Sequence, residues 1–176
     1  MDARMRGFTL VEAVLTTATA ALLAALSVPA LGTLLERQRA NAAMAALSTK
    51  MQLARIAAIT YRHPAVLCPS EDGHACKAGT DWSGGWMVFL DRDGNRRPDA
   101  TDDILRVETA SDREALRVLG TSGRPQVRYL PDGRSAGSNI TISICNRSGR
   151  LLGAVIVNNM GRPRSFRPAQ ETPCPG

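Results

Sequence analysis

The hydrophobic pattern divides the chain into an apolar N-terminal segment, an amphipathic segment and a region of short apolar runs. From Ala13 to Leu35, 23 consecutive residues carry no charge. A transmembrane helix needs about 20 mainly apolar residues, so residues 8–35 are predicted to form such a helix. Because Arg4 and Arg6 precede it, the N-terminus is expected in the cytoplasm and the remainder across the membrane.

A cleaved secretory signal peptide is the alternative interpretation of this apolar segment. Two features oppose it. Glu12 would place a carboxylate near its start, where burying a charge is costly. The helical pattern also continues beyond Leu35 without a clear cleavage site.

Residues 36–62 are predicted to form an amphipathic helix. The residue before a proline avoids the helical conformation, so the His63–Pro64 step is predicted to end this helix. Its apolar stripe recurs at steps of three and four residues and consists of Met44, Leu47, Met51, Ala54 and Ala58.

Residues 63–176 are predicted to form a β-rich globular head. Ile140–Ile144 alternates apolar and hydroxyl residues, which predicts one buried face and one wet face. Turns rich in Gly, Pro, Asp and Asn separate the runs. The predicted fold class is α+β: a long N-terminal helix, then an antiparallel head of two packed sheets. The strand candidates are Val66–Cys68, Trp86–Leu90, Ile104–Val107, Val127–Leu130, Ile140–Ile144 and Leu151–Val157.

Four cysteines in an exported domain favour disulfides, and three pairings of Cys68, Cys76, Cys145 and Cys174 are possible. Cys68 and Cys76 are close in sequence, and Cys174 could join the tail to Cys145, so these two pairs are favoured. Metal binding and free thiols are the alternatives. The chain lacks the tight CxxC pairs that zinc sites usually contain.

The sequence contains no recognisable nucleophile–base constellation and no phosphate-binding glycine loop, so neither an enzyme nor a bound cofactor is predicted. The acidic loop Asp91–Asp103 raises the question of calcium, since hard cations prefer clustered oxygen ligands. Gly94 stands fourth rather than sixth in this loop, and arginines dilute its negative charge. A solvated turn is therefore the simpler interpretation, and no metal site is predicted.

The positive charge is concentrated in the last third of the chain. Residues 113–176 contain ten arginines, no lysine and three acidic residues, a net charge of +7 in a chain whose total is +6. Arginine presents a planar fork that suits phosphate. This third is therefore the candidate surface for a polyanion.

Within that third, Gly161, Arg162, Pro163 and Arg164 form a candidate phosphate clamp. Arg162 and Arg164 are two residues apart, so on an extended segment they face the same side. Gly161 allows the backbone to turn or to approach a partner closely. The alternative interpretation is a strand edge kept soluble by its charge.

The sequence Gly7-Phe8-Thr9-Leu10-Val11-Glu12, after a short basic leader, resembles the class III signal of type IV pilins and type II secretion pseudopilins. The resemblance implies that residues 1–7 are a leader peptide. It implies cleavage by the prepilin peptidase between Gly7 and Phe8, and N-methylation of Phe8. Glu12 is predicted to pair with the α-amino group of a neighbouring Phe8 in a filament; a solvated carboxylate at the headgroup level is the alternative.

The head resembles the GspH/FimT family in the Cys68–Cys76 loop, in Asp81–Phe89 and in Tyr129–Gly133. The tail matches the GRxR motif of FimT-type minor pilins, which bind DNA during natural transformation. This resemblance assigns DNA binding to Gly161, Arg162 and Arg164. Charge and proximity in sequence add three further candidates, Arg147, Arg150 and Arg167.

Two functions are compatible with these features. The first is a minor pilin, anchored in the inner membrane with a periplasmic head and assembled with other major and minor pilins into a cell-surface type IV pilus. It would bind double-stranded DNA without sequence preference for uptake. The second is a GspH-like minor pseudopilin of a type II secretion system, structural and without DNA binding. The GRxR tail and the basic last third favour the first.

Overall fold

A computed structural model describes residues 9–99, 103–109 and 115–175, excluding the side chains of residues 26–30. The chain divides into two units, residues 1–37 and residues 38–176.

The long N-terminal helix is confirmed, and α1 spans Leu10–Tyr61. Within the described residues, no helix is at once long and apolar enough to cross a membrane. Membrane insertion of residues 8–35 stays a prediction.

Local signals set both ends of α1. At its start, the Thr9 N–H donates to the Glu12 carboxylate at 3.0 Å, and the Glu12 N–H donates to the Thr9 hydroxyl at 3.2 Å. This reciprocal capping box satisfies backbone donors that the first helical turn leaves unpaired. At its end, Arg62 adopts a positive φ of 56°, and Pro64 follows. The predicted stop at the His63–Pro64 step is confirmed.

The amphipathic stripe of α1 is buried as predicted. Its five members have exposed fractions between 0 and 2%. They belong to one apolar cluster that also contains side chains from both sheets of the head. Burying a large apolar side chain contributes about 1.5–3 kcal/mol. The three largest members of the stripe, Met44, Leu47 and Met51, therefore make a major contribution to the stability of the head.

In the described parts of the chain, eight strands form two four-stranded antiparallel sheets, which confirms the α+β fold class. The first sheet has the order β3-β2-β1-β5, and the second has the order β4-β6-β7-β8. The strands are β1 Ala65–Pro69, β2 Gly85–Leu90, β3 Ile104–Thr109, β4 Arg117–Gly120, β5 Val127–Tyr129, β6 Ile140–Cys145, β7 Leu151–Val157 and β8 Pro163–Phe166.

The expectation of a wet face on Ile140–Ile144 is wrong. Ser143 is only 3% exposed, and Cys145 is fully buried. Ser143 lies in register between Leu119 of β4 and Ala154 of β7, which flank its small side chain on both sides. Cys145 is covered because it is bonded to the C-terminal segment. β6 is therefore an interior strand with both faces largely buried.

Disulfides join the two pairs that sequence spacing favours. The Cys68–Cys76 bridge lies at an apolar cluster on the other face of the first sheet, together with Val66, Met87 and Phe89. The Cys145–Cys174 bridge holds the C-terminal segment beside the β6–β7 turn. There the Cys174 N–H donates to the Gly149 carbonyl at 2.8 Å.

Removing the Cys145–Cys174 bridge should destabilise the head. The double variant Cys145→Ala, Cys174→Ala opens a loop with a sequence separation of 29 residues. In the chain-entropy model, closing a loop of this length contributes about 3–4 kcal/mol. Urea unfolding of the variant and the wild type, both kept oxidised, measures the difference. A loss below about 1 kcal/mol would contradict this account of the tail.

Candidate nucleic-acid interface

The clamp predicted from the GRxR motif begins in a tight turn at residues 158–161. The Gly161 N–H donates to the Asn158 carbonyl at 2.9 Å, and the Met160 N–H donates to the Asn158 side-chain oxygen at 3.1 Å. Gly161 closes the turn with a φ of +73°. A residue with a side chain rarely adopts this conformation, so the turn itself favours glycine.

The packing of this turn gives a second reason for glycine. The Ser135 N–H donates to the Asn159 carbonyl at 3.1 Å, which joins the turn to the segment that follows β5. A Cβ atom on Gly161 would clash with the Gly133 carbonyl oxygen and lie 3.2 Å from the Tyr129 ring. Gly161 therefore has a structural role, which is to hold the tail against the neighbouring turn.

The turn that contains Gly133 is held in place by α1. The Arg55 guanidinium donates through Nε to the Gly133 carbonyl at 2.8 Å. Tyr129 beneath it is fully buried, and burial raises the pKa of its phenol, although the positive charge of Arg55 opposes the shift. The phenol of Tyr129 is thus neutral at physiological pH.

Arg162 and Arg164 project from this support into solvent. Arg162 directly precedes β8, and Arg164 lies within it, opposite Ile156 of β7. Both side chains are exposed. Among the described residues, neither guanidinium has a hydrogen bond or an ion pair, so all their donors are available. β8 is also the edge strand of its sheet, so the strand-edge interpretation describes the backbone correctly.

Arg134 is a third cation at this end of the sheet, and the sequence analysis did not identify it. It is exposed and lies between Gly133 and Ser135, both of which contact the 158–161 turn. Its side chain likewise has no partner in the part of the chain that the structure describes. Arg134 and Arg162 are 28 positions apart, and no sequence signal links them; only the packing of the two turns brings them together.

The other three predicted arginines lie elsewhere. Arg167 donates through Nε to the Asn41 side chain of α1 at 3.0 Å, on the opposite face of β8 from Arg164. Arg150 pairs with Glu171 at 2.8 Å beside the β6–β7 turn, which also contains Arg147. Six residue steps of β7, about 20 Å, separate that turn from the start of β8. These three arginines therefore do not join the clamp.

Two other sequence predictions can be placed only in part. Gly7 and Phe8, the predicted processing residues, lie outside the described residues. Glu12 is described, and its carboxylate accepts hydrogen bonds from both the N–H and the hydroxyl of Thr9 at 3.0 Å. Its proposed pairing in a filament would therefore compete with a local role in capping α1.

The acidic loop is organised by arginines. The Asp91 carboxylate is fully buried and accepts the Arg96 N–H at 2.8 Å and the Arg128 Nε–H at 3.1 Å. Asp103 accepts Arg92 Nε at 2.7 Å. Asp102 lies outside the described residues. Within the described residues, no group of three or more His, Cys, Asp or Glu side chains is arranged to hold a metal ion.

Replacing Gly161 should separate the tail turn from its support. Gly161→Ala should lose about 3 kcal/mol of unfolding free energy, because it adds a clash to the strain of a positive φ. Gly123→Ala is the matched control, since Gly123 has a φ of 75° with nothing within 4 Å of its Cβ position. The control should lose only about 1 kcal/mol. Equal losses in denaturant titrations would refute the packing role.

Comparison with known proteins places this architecture in a family. The family model described as "Type II transport protein GspH" matches residues 43–161, more than half of the chain. A comparison with curated proteins found no sequence relative.

Solved structures share the fold. The type IV minor pilin FimU of Pseudomonas aeruginosa superposes with a TM-score of 0.59 at 20% identity, covering 80% of this chain and 98% of FimU. The minor pseudopilin EpsH from the type 2 secretion system of Vibrio cholerae gives 0.51 at 15% identity, covering 74% of this chain and 98% of EpsH. With the family match, these results confirm the resemblance drawn from the sequence: the chain belongs to the GspH family of minor pilins and pseudopilins, a family of structural proteins.

Proposed function

We propose that this protein is a FimT-like minor pilin of a type IV pilus that binds double-stranded DNA for uptake in natural transformation. The observation that carries the proposal is the grouping of Arg134, Arg162 and Arg164 at one end of the second sheet. All three guanidiniums are exposed, and in the described structure none is engaged by a carboxylate. The rigid turn beneath them limits the ordering that binding would require.

The chemistry of this group suits the DNA backbone rather than its bases. Arginine side chains on turns and on a strand edge can reach phosphates. Sequence readout usually places a helix or a two-stranded ribbon in the major groove, and the clamp contains neither as a reading element. Aromatic residues make up only 4% of the chain, which does not favour a base-stacking platform. Binding should therefore be independent of sequence.

The net charge of the C-terminal third supports the same partner. The +7 of residues 113–176 attracts a polyanion over a distance of about one Debye length, roughly 8 Å at physiological salt. Arg147 and Arg150 would contribute to this attraction from the other end of the sheet without joining the clamp. Several heads along a filament would raise the avidity of weak individual contacts.

The N-terminal unit fits a filament subunit that begins in the inner membrane. Large apolar side chains of its helix are 51–81% exposed, namely Leu10, Val11, Val14, Leu15, Leu22, Leu23, Leu31, Leu34 and Leu35. Exposed apolar surface of this extent marks contact with lipid or with other proteins. In this proposal the prepilin peptidase removes residues 1–7, Phe8 is methylated, and the helix later packs among other pilins.

A structural pseudopilin without DNA binding is the second candidate. It is favoured by the family model, which is named for type II transport and matches residues 43–161. That match includes Arg134 and Gly161 but ends immediately before Arg162, so it does not cover the two arginines of the GRxR motif. The two functions differ in one measurable property, the affinity for DNA.

Removing the clamp should weaken DNA binding and its dependence on salt. Three phosphate contacts give a slope of about −2.7 in log K against log salt concentration. The double variant Arg162→Gln, Arg164→Gln should bind all duplexes at least tenfold more weakly and flatten the slope by about 1.8. Fluorescence anisotropy with the full chain in a non-ionic detergent, at several salt concentrations, measures both quantities.

The matched control for this experiment is the double variant Arg106→Gln, Arg117→Gln. It removes the same charge from two exposed strand residues outside the clamp. It should retain most of the affinity and keep the slope within about half a unit of wild type. If the two double variants bind DNA equally, the clamp is excluded. If the wild type itself does not bind DNA, the pseudopilin function is favoured.

Substitutions of Glu12 should separate capping from charge pairing. Glu12→Gln keeps an oxygen that can accept from Thr9 but removes the negative charge, whereas Glu12→Ala removes both. If Glu12 pairs with the Phe8 amino group of a neighbour, both variants should enter the membrane normally and co-purify poorly with other pilins. Pull-down from cells expressing each variant measures this. Normal assembly of Glu12→Gln would show that only the cap is required.

A further inference from the structure

Three arginines from separate parts of the head line a pocket that the proposed DNA clamp does not use. The pocket has a volume of about 260 Å³ and is lined by Arg96, Arg124, Arg128 and Gln126 among others. A second cavity of about 570 Å³ shares Arg96 and Gln126 and adds Arg97 and Lys77 to its lining. The two cavities are therefore neighbours with a common wall. Lys77 is paired with Glu71 at 2.8 Å and with Asp81 at 3.0 Å, so the unpaired positive charge lies on the arginine side.

Two of these arginines are held in fixed orientations. Arg128 donates through Nε to the buried Asp91 carboxylate at 3.1 Å. Arg124 donates through Nη1 to the Ser138 carbonyl at 2.5 Å and hydroxyl at 3.1 Å, and through Nη2 to the Ala136 carbonyl at 2.8 Å. A guanidinium has five N–H donors, so each of these arginines retains donors for a ligand.

Arg96 is the third arginine, and its backbone is strained. Its φ is 64°, a left-handed conformation that is unfavourable for a residue with a side chain. The Arg96 N–H donates to Asp91 at 2.8 Å, which holds the residue in place. Its guanidinium is exposed and has no partner among the described residues. Asp91 thus positions both Arg96 and Arg128 while compensating only one positive charge.

Gln126 supplies a polar atom at the wall of both cavities. Its side-chain oxygen is buried and has no hydrogen-bond partner in the described structure. The amide NH₂ of the same side chain is the group that can donate to an anion.

We propose that this pocket binds a phosphate group. Three guanidiniums and one carboxylate leave a local charge of +2, which matches a phosphate monoester at neutral pH. Planar forks from three directions suit the oxygens of a tetrahedral anion. The phosphate can belong to a free nucleotide or to nucleic acid. The site requires neither Arg162 nor Arg164, so it does not depend on the proposed DNA clamp.

The experiment uses the full chain in a non-ionic detergent, titrated with inorganic phosphate and with thymidine 5′-monophosphate by calorimetry. Wild type should bind with a saturable isotherm. Arg96→Gln should weaken phosphate binding about tenfold. Arg96→Lys keeps the charge but loses the planar guanidinium, so its phosphate affinity should lie between those of wild type and Arg96→Gln. Arg96→Gly relieves the strained φ, so it should melt no lower than wild type and still bind phosphate poorly. Arg117→Gln is the charge-matched control and should bind normally.

A duplex DNA titration of the same variants identifies the source of the phosphate. Weaker DNA binding by Arg96→Gln indicates the nucleic acid backbone, and unchanged DNA binding indicates a free phosphate compound; either result supports the pocket. The Arg162→Gln, Arg164→Gln variant should bind inorganic phosphate normally, which keeps failure of the clamp distinct from failure of the pocket. The proposal is overturned if wild type shows no saturable phosphate binding, or if Arg96→Gln binds phosphate as wild type does.

Discussion

The packing of α1 against the head is the interaction on which the other features depend. Met44, Leu47 and Met51 are fully or almost fully buried in a core shared with both sheets. The same helix reaches the clamp through Arg55, which holds the Gly133 carbonyl. Gly133 and its neighbours then support the turn that ends at Gly161. The position of the proposed DNA contacts therefore follows from a helix whose N-terminal part belongs to the other unit of the chain.

Periodicity predicted the helix and most strands, because their apolar residues repeat at the spacing of the structure they form. Two strands were absent from the strand candidates, although a strand edge was the alternative interpretation of the second. Arg117–Gly120 has only four residues, and Pro163–Phe166 contains a proline and an arginine with three of its four residues exposed. Edge strands of this kind carry little apolar signal. The burial of Ser143 was not predicted for a related reason. Its side chain is covered by the two neighbouring strands, and the sequence does not show which strands lie next to each other.

The candidate site shows a similar division. The residues themselves indicated a turn at Gly161 and an extended segment with Arg164, while their DNA binding stays a prediction. The clash of a Cβ atom with Gly133 adds a structural role for Gly161. DNA binding by Arg147, Arg150 and Arg167 also stays a prediction. Arg167 contacts α1, and the length of β7 lies between Arg150 and the start of β8. Arg134 lies beside the clamp only because its own turn contacts the turn at residues 158–161.

The Cys145–Cys174 bridge has a mechanical consequence. In the proposed function, tension on bound DNA would act on the chain at the residues that contact it. Arg162 and Arg164 lie between the two bonded cysteines, so the load would enter a covalently closed ring. Unravelling of β8 could then lengthen the chain only within that ring, and tension would pass through the sulfur bridge to β6 in the middle of its sheet. The clamp could yield locally without the head being drawn out.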